Sequence, residues 1–220
     1  MNQLGEVAER LHRVRQQLIE AGGPDVEVLA VTKGHPGAIV QLAADAGFTA
    51  VGENYAQEVV AKFAVATFGV AVHFIGQLQT NKVRQIASLV DVYETVDRPA
   101  LVTELAKRVP GARVLVQVNT SGAEGKGGCV AAEAESLVGR ATDAGLVVDG
   151  LMTVGPTTGG PEAARLGFRS VRALCDTLGL PTCSMGMSDD FVVAVQEGST
   201  RVRLGSALFG MRPTAPSRVR

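Results

Sequence analysis

The sequence is poor in the residues that would build several common classes of protein. It contains no tryptophan, two tyrosines and three cysteines, and 21 basic residues almost balance 22 acidic ones, for a formal net charge of −1. So few aromatic residues and so little excess positive charge argue against a nucleic-acid-binding surface. The cysteines, Cys129, Cys175 and Cys183, form no CxxC pair, so we expect reduced thiols and neither a disulfide scaffold nor a zinc site.

Long apolar runs are also missing. The longest, residues 63–75, is interrupted by Thr67, Gly69 and His73 and is shorter than the roughly 20 residues that span a bilayer. The first residues, "MNQLGEVAERLHRVRQQL", are charged throughout and lack the apolar core of a secretory signal. We therefore expect no membrane association and a cytoplasmic location.

Short apolar runs instead alternate with helical patterns along the chain. The predicted strands are residues 26–31, 49–51, 70–75, 90–95, 113–118, 146–153, 182–185 and 200–204. The predicted helices between them are residues 38–46, 55–63, 81–89, 99–108, 130–144, 161–178 and 189–196. Before the first run, apolar residues from Leu4 to Ile19 recur at helical spacing.

Strand-then-helix units in this order predict an α/β fold, a single (β/α)8 TIM barrel with an extra N-terminal helix. A doubly wound open sheet is the alternative, although such sheets usually have fewer strands. We expect residues 1–213 to form one barrel domain and residues 214–220 to form a flexible C-terminal tail. In such barrels the functional residues gather at the C-terminal ends of the strands.

The end of the first strand carries a lysine in the stretch "VLAVTKGHP". If side chains alternate along this strand, Lys33 points into the mouth of the barrel. Desolvation there favours the neutral amine, which is the form that attacks a carbonyl to make a Schiff base. The other interpretation is a solvated salt bridge between Lys33 and Glu53 or Asp97, and the spacing alone slightly favours it.

The eighth strand adds a candidate anion site. In "GSTRVRLGSALFG", Arg203 precedes Gly205 and Ser206, which open a short helical turn. Backbone N–H groups at such a turn suit a phosphate, and barrels often hold phosphate after strands seven and eight. Tight packing alone would also explain the glycines. Together with Lys33, the pattern indicates a ligand with a carbonyl and a phosphate.

Motifs in the sequence resemble those of the pyridoxal phosphate homeostasis proteins, a family whose fold resembles the N-terminal barrel of alanine racemase. They are "LAVTKGHP", "GFTAVGENYAQE", "HFIGQLQTNK", "ETVDRP", "GLMTVG", "CSMGMSDDF" and "GSTRVRLGSALFG". The resemblance implies that pyridoxal 5'-phosphate binds as a Schiff base of Lys33, with Arg203 near the pyridine nitrogen. It implies a phosphate site at Ser184, Gly205 and Ser206, ring surroundings at Asn54, His73 and Met185, and no catalytic residue or metal ligand.

The resemblance predicts a protein that holds pyridoxal 5'-phosphate for intracellular homeostasis without dedicated catalysis. Because an arginine stays charged, it would keep the ring nitrogen unprotonated and make the cofactor a weak electron sink. We expect a monomer that serves pyridoxal-phosphate-dependent apoenzymes as recipients. The alternative is an amino-acid racemase, which needs a second base, and neither Tyr55 nor Tyr93 has a suitable setting. A Schiff-base aldolase would normally carry its lysine on a later strand.

Overall fold

The computed structural model describes residues 3–121 and 126–211 of the chain. Within these residues, parallel strands follow one another around a closed barrel in the order of the sequence, and the first strand pairs with the last. They are β1 (Glu27–Val31), β2 (Ala50–Glu53), β3 (Ala71–Phe74), β4 (Val92–Val96), β5 (Arg113–Gln117), β6 (Val147–Met152), β7 (Thr182–Ser184) and β8 (Arg201–Leu204). The predicted (β/α)8 barrel is confirmed, and the open sheet is excluded because β1 and β8 close the ring.

Helices cover the outside of the barrel. They are α1 (Gln3–Glu20), α2 (Gly37–Asp45), α3 (Ala56–Phe63), α4 (Thr80–Ile86), α5 (Pro99–Arg108), α6 (Ala131–Asp143), α7 (Arg165–Leu178), α8 (Phe191–Gln196) and α9 (Ser206–Phe209). A short 3-10 turn, Pro161–Ala164, leads into α7. The extra helix α1 buries Val7, Val14 and Leu18 in a cluster that also contains Leu208 of α9, so it closes the layer beside β1 and β8.

The apolar core has an outer and an inner part. The outer part lies between the barrel and its helices and contains most of the buried aliphatic side chains. The inner part is a small cluster of Leu29, Val31, Ala50 and Ile75. Val31 and Ile75 also line a cavity at the mouth of the barrel. Because side chains alternate along each strand, inward residues reach this mouth while their neighbours pack against helices.

Several other sequence predictions concern what the molecule lacks. In the part of the chain that the structure describes, no helix has both the length and the apolar character needed to cross a membrane. Across residues 3–121 and 126–211, no group of three or more His, Cys, Asp or Glu side chains is placed to hold a metal ion. Cys129, Cys175 and Cys183 are buried free thiols. The tail predicted at residues 214–220 lies outside the described residues.

Candidate functional site

A cavity of about 750 Å³ opens at the C-terminal ends of the strands. This volume is in the range of ordinary small-molecule sites. The predicted site residues that line it are Lys33, Asn54, Arg203, Gly205 and Ser206. The remaining predicted residues, His73, Ser184 and Met185, are not part of this lining. The cavity therefore lies at the end of the barrel where the sequence predicts functional residues, and some of the predicted residues form part of its wall.

Lys33 reaches the cavity because of the alternation along β1 and the residues after it. Val31 faces the barrel interior, and the next side chain, Thr32, points outward, where its hydroxyl donates to Glu53 Oε1 at 2.6 Å. Lys33 then points inward again, and its Nζ lies 3.5 Å from Asn54 Oδ1 at the end of β2. The half-buried amine is thus held at the cavity wall beside an amide oxygen.

The carboxylates considered as alternative partners of Lys33 have other cations beside them. Glu53 forms an ion pair with Lys62 of α3 at 2.8 Å, and Asp97 pairs with Arg98, the next residue in the chain. Glu53 lies behind the barrel wall, fully buried. The cation beside Glu53 is therefore Lys62, while Lys33 lines the cavity.

Gly76 fixes the wall beside Asn54. A Cβ at this position would lie 2.0 Å from the carbonyl oxygen of Asn54, which is far inside van der Waals contact. Only glycine lets the chain after β3 pass this close to the end of β2. The close approach defines the position of Asn54 and so of the amide that faces Lys33.

The wall next to Lys33 is built from the loops after β7 and β8. Ser188, Gly205 and Ser206 line the cavity there, and the backbone N–H of Ala207 donates to Ser188 Oγ at 3.2 Å. Because β8 is hydrogen-bonded to β1, this wall lies beside Lys33. Hydroxyl groups and the backbone N–H groups at the start of a helical turn suit an anion.

Arg203 is held rigidly at the floor of the cavity. Its Nη1 donates to the carbonyl oxygen of Ser184 at 2.8 Å and to Ser184 Oγ at 2.9 Å, and its Nη2 donates to the carbonyl oxygen of Thr153 at 2.8 Å. The residue is only 4% exposed. Burial lowers the pKa of this guanidinium, although the nearby carboxylates of Glu94 and Asp190 oppose the shift. The bonds fix the plane of the guanidinium.

Beneath Arg203, the buried carboxylate of Glu94 links several strands across the barrel interior. It accepts hydrogen bonds from His73 Nδ1 at 2.7 Å, from Ser184 Oγ at 2.7 Å and from Arg201 Nη1 at 3.1 Å. Burial opposes the charge of Glu94, but the hydrogen bond from His73 and the positive charges of Arg201 and Arg203 outweigh it and lower the pKa of Glu94 to about 2. His73 and Ser184 therefore belong to a polar network under the cavity.

The side chain of Met185 points away from the cavity. It belongs to the outer apolar core together with Cys183, whose Sγ lies 3.6 Å from Met185 Sδ. Ser184, between them, faces inward to Arg203. Because neighbours on a strand point to opposite faces, Ser184 and Met185 lie on opposite sides of the barrel wall. The placement of Met185 therefore does not support its predicted contact with the ring of the cofactor.

The cavity lining includes residues that the sequence prediction did not assign. They include Gln77, Gln117, Met152, Val154, Met187 and Ser188. Gly186 is the feature of the sequence that could have indicated a turn after β7. Its φ is 97°, and a Cβ at this position would lie 2.6 Å from Ala194 Cβ, so the chain turns sharply at a place that favours glycine. The turn brings Ser188, rather than Ser184, to the cavity.

Comparisons with known proteins agree with this architecture. The family model described as "Alanine racemase, N-terminal domain" matches residues 3–213. A protein of Pseudomonas aeruginosa named "Pyridoxal phosphate homeostasis protein" is 38% identical, over 95% of this chain and 97% of its own length. A protein of Escherichia coli K12 with the same name is 33% identical, over 95% of this chain and 98% of its own. The chain belongs to the pyridoxal phosphate homeostasis protein family.

Solved structures place this family member among close structural relatives. PipY of Synechococcus elongatus, whose structure was determined with pyridoxal phosphate bound, matches with a TM-score of 0.79 and 30% identity, over 93% of this chain and all of PipY (100%). A protein from Bifidobacterium adolescentis, whose solved structure is described as that of an unknown protein, matches with a TM-score of 0.84 and 32% identity, over 95% of this chain and 97% of its own. The resemblance expected from the motifs is confirmed over nearly the full length.

Proposed function

We propose that this chain binds pyridoxal 5'-phosphate as a Schiff base of Lys33 and acts in intracellular homeostasis of the cofactor, without dedicated catalysis. One observation carries the proposal: the amine of Lys33 and the anion-suited wall of Ser188, Gly205 and Ser206 line the same cavity. The names of the relatives and the ligand of PipY support the choice of ligand. We also propose a cytoplasmic monomer that delivers the cofactor to pyridoxal-phosphate-dependent apoenzymes.

The chemistry of the lining fits the functional groups of this cofactor. Pyridoxal phosphate supplies an aldehyde that condenses with an amine and a ring that can accept electrons. Lys33 offers the amine, and Asn54 Oδ1, 3.5 Å from Nζ, gives it a hydrogen-bond acceptor. Gly205 and Ser206 offer N–H and hydroxyl donors at the start of α9 for a phosphate.

Arg203 supports a holding role over a catalytic one. We assign it to the pyridine nitrogen, where a fixed cation disfavours protonation of the ring and so weakens the ring as an electron sink. Its hydrogen bonds to Ser184 and Thr153 hold the guanidinium in one orientation. Carbanion chemistry on the bound cofactor would therefore be slow.

The tyrosines of the chain give little support to the racemase alternative. A racemase needs a second base on the opposite face of the substrate carbon. Tyr93 is 1% exposed in the outer core, where burial raises the pKa of its phenol. Tyr55 lines a separate, smaller cavity of about 200 Å³ beside Asn54. Neither phenol lines the cavity that contains Lys33.

The proposal is tested by adding pyridoxal phosphate to the purified protein and recording the visible absorption. We expect a Schiff-base band that borohydride traps on Lys33, as located by peptide mapping, and the loss of that band in Lys33→Ala. Lys107→Ala, which changes an exposed lysine of α5, is the matched control and should retain the band. A wild-type protein without the band, or a label on another lysine, contradicts the proposal. Rapid interconversion of alanine or serine enantiomers would favour a racemase.

A further inference from the structure

A buried charged cluster lies directly behind the segment that carries Lys33. It consists of Lys62, Glu53 and Glu58, and we call it the Lys62 cluster. Lys62 Nζ lies 2.8 Å from Glu53 Oε1 and 3.0 Å from Glu58 Oε2. The Glu53 side chain is fully buried and that of Lys62 is 7% exposed, whereas that of Glu58 is 29% exposed. The cluster sits between β2 and α3, outside the barrel wall.

The Lys62 cluster holds the backbone on both sides of Lys33. On one side, Lys62 Nζ donates to the carbonyl oxygen of Thr32 at 3.0 Å, and Glu53 Oε1 accepts from the Thr32 hydroxyl at 2.6 Å. On the other side, Glu58 Oε2 accepts from the backbone N–H of Gly34 at 2.8 Å. The residue before Lys33 and the residue after it are thus tied to the same three side chains.

Stability alone does not account for a cluster of this kind. Removing charges from water is costly, and a buried ion pair is often no more stable than apolar side chains of similar volume. Glu53 illustrates the cost, because its Oε2 atom is buried without a hydrogen-bond partner. Burial also raises the pKa of Glu53, against the opposing effect of the bonds from Lys62 and Thr32. The charged groups do fix the orientation of the backbone, because each of the three side chains makes a hydrogen bond to Thr32 or Gly34, the neighbours of Lys33.

We infer that Lys62, oriented by Glu53 and Glu58, is a positioning residue that fixes the Thr32 to Gly34 backbone and so aims the Lys33 amine into the cavity. The inference rests on the proposed function, since it explains how the reactive amine is held for condensation with an aldehyde. Errors of about 1 Å in the placement of a reacting group can slow a reaction by as much as about 100-fold. Loss of Lys62 should therefore slow Schiff-base formation without closing the cavity.

The test compares Lys62→Met, which keeps an unbranched side chain one atom shorter and removes the charge, with wild type. We expect the rate of Schiff-base formation with pyridoxal phosphate, followed by absorbance, to fall about 10-fold or more. The affinity for pyridoxine 5'-phosphate, which has no aldehyde, should stay unchanged because Lys33 need not react. Lys107→Met changes an exposed lysine and should behave as wild type in both measurements.

A second variant covers the case in which Lys62→Met does not fold. Glu58→Gln removes a partly exposed charge but leaves an oxygen to accept from Gly34, so we expect a smaller slowing of Schiff-base formation and a folded barrel by circular dichroism. Wild-type rates in the folded variants overturn the inference, and so does an equal loss of affinity for pyridoxine 5'-phosphate. Failure of the wild-type protein itself to form the Schiff base would instead contradict the proposed function.

Discussion

Two serines near Arg203 have different surroundings and should have different roles. Ser184 Oγ bridges Arg203 Nη1 at 2.9 Å and Glu94 Oε2 at 2.7 Å in the barrel interior, whereas Ser206 lines the cavity. Both hydroxyls were assigned to a phosphate from the resemblance. Ser206, which begins α9, stays a predicted phosphate contact, while the Ser184 hydroxyl is already occupied by two charged neighbours.

Alanine substitution separates these roles. We expect Ser206→Ala to weaken the binding of pyridoxal phosphate roughly 10- to 150-fold, because a hydrogen bond to a charged group contributes about 1.5–3 kcal/mol, with little change in the free energy of unfolding. Ser184→Ala should instead lower the free energy of unfolding by about 1–3 kcal/mol, because buried Glu94 Oε2 loses the hydrogen bond from the Ser184 hydroxyl. Titration calorimetry and urea denaturation measure the two quantities. Equal effects of both substitutions on binding would contradict the assignment.

At the scale of elements, helix α7 shows how burial on one face holds the outer layer to the barrel. Phe168 is fully buried in the outer core, whereas Leu166, two residues earlier, is 76% exposed. Phe168 also lies close to the chain after β6, since a Cβ at Gly155 would approach its ring at 3.4 Å. One apolar side chain of this helix therefore contributes to packing, and its near neighbour does not.

This difference predicts unequal effects of truncation within one helix. We expect Phe168→Ala to lower the free energy of unfolding by about 3–5 kcal/mol, through lost burial and the cavity left behind. Leu166→Ala should change it by less than about 0.5 kcal/mol, because the side chain is exposed. Urea denaturation of both variants at one pH provides the comparison. A loss of similar size in Leu166→Ala would mean that its surface is covered in solution.

The elements were the part of the molecule that the sequence predicted best. The start and end of α5, residues 99–108, agree with the prediction, and the strands differ from it by a few residues at most. Apolar periodicity and flanking glycines determine these features locally. The predicted helix at residues 161–178 proved to begin with a 3-10 turn, since periodicity alone does not separate the two helix types.

The candidate site was predicted less completely because it depends on which way each side chain points. The sequence predicted Lys33 and Arg203 as site residues from their positions just after strand one and on strand eight, and both line the cavity. It did not reveal that Ser184 and Met185 face opposite ways, or that Lys62 of α3 reaches back to Thr32, 30 residues away in the chain. The spacing of Glu58 and Lys62 at i and i+4 was visible, but such pairs are common on exposed helix faces.

At the scale of the whole molecule, the buried carboxylate of Glu94 connects several strands across the barrel interior. Glu94 of β4 accepts hydrogen bonds from His73 of β3, Ser184 of β7 and Arg201 of β8. Strands that are not neighbours in the barrel are therefore connected through its centre. Because Arg203 bonds to Ser184 in the same network, protonation of Glu94 would disturb the floor of the cavity as well as the barrel.

Acid should therefore destabilise the protein through Glu94. Its pKa is lowered from 4.5 to about 2 in the folded state, so the charge stabilises the fold above pH 4.5, and this contribution is lost as the pH falls toward 2. A shift of this size corresponds to about 3 kcal/mol. We expect Glu94→Gln to have a lower free energy of unfolding than wild type at pH 7. Between pH 4.5 and 2 its free energy of unfolding should fall less steeply than that of wild type, as measured by urea denaturation. Glu135→Gln, at an exposed position of α6, is the control, and its free energy of unfolding should depend on pH as that of wild type does. If the free energy of unfolding of Glu94→Gln also falls as steeply as that of wild type, other groups cause the acid sensitivity.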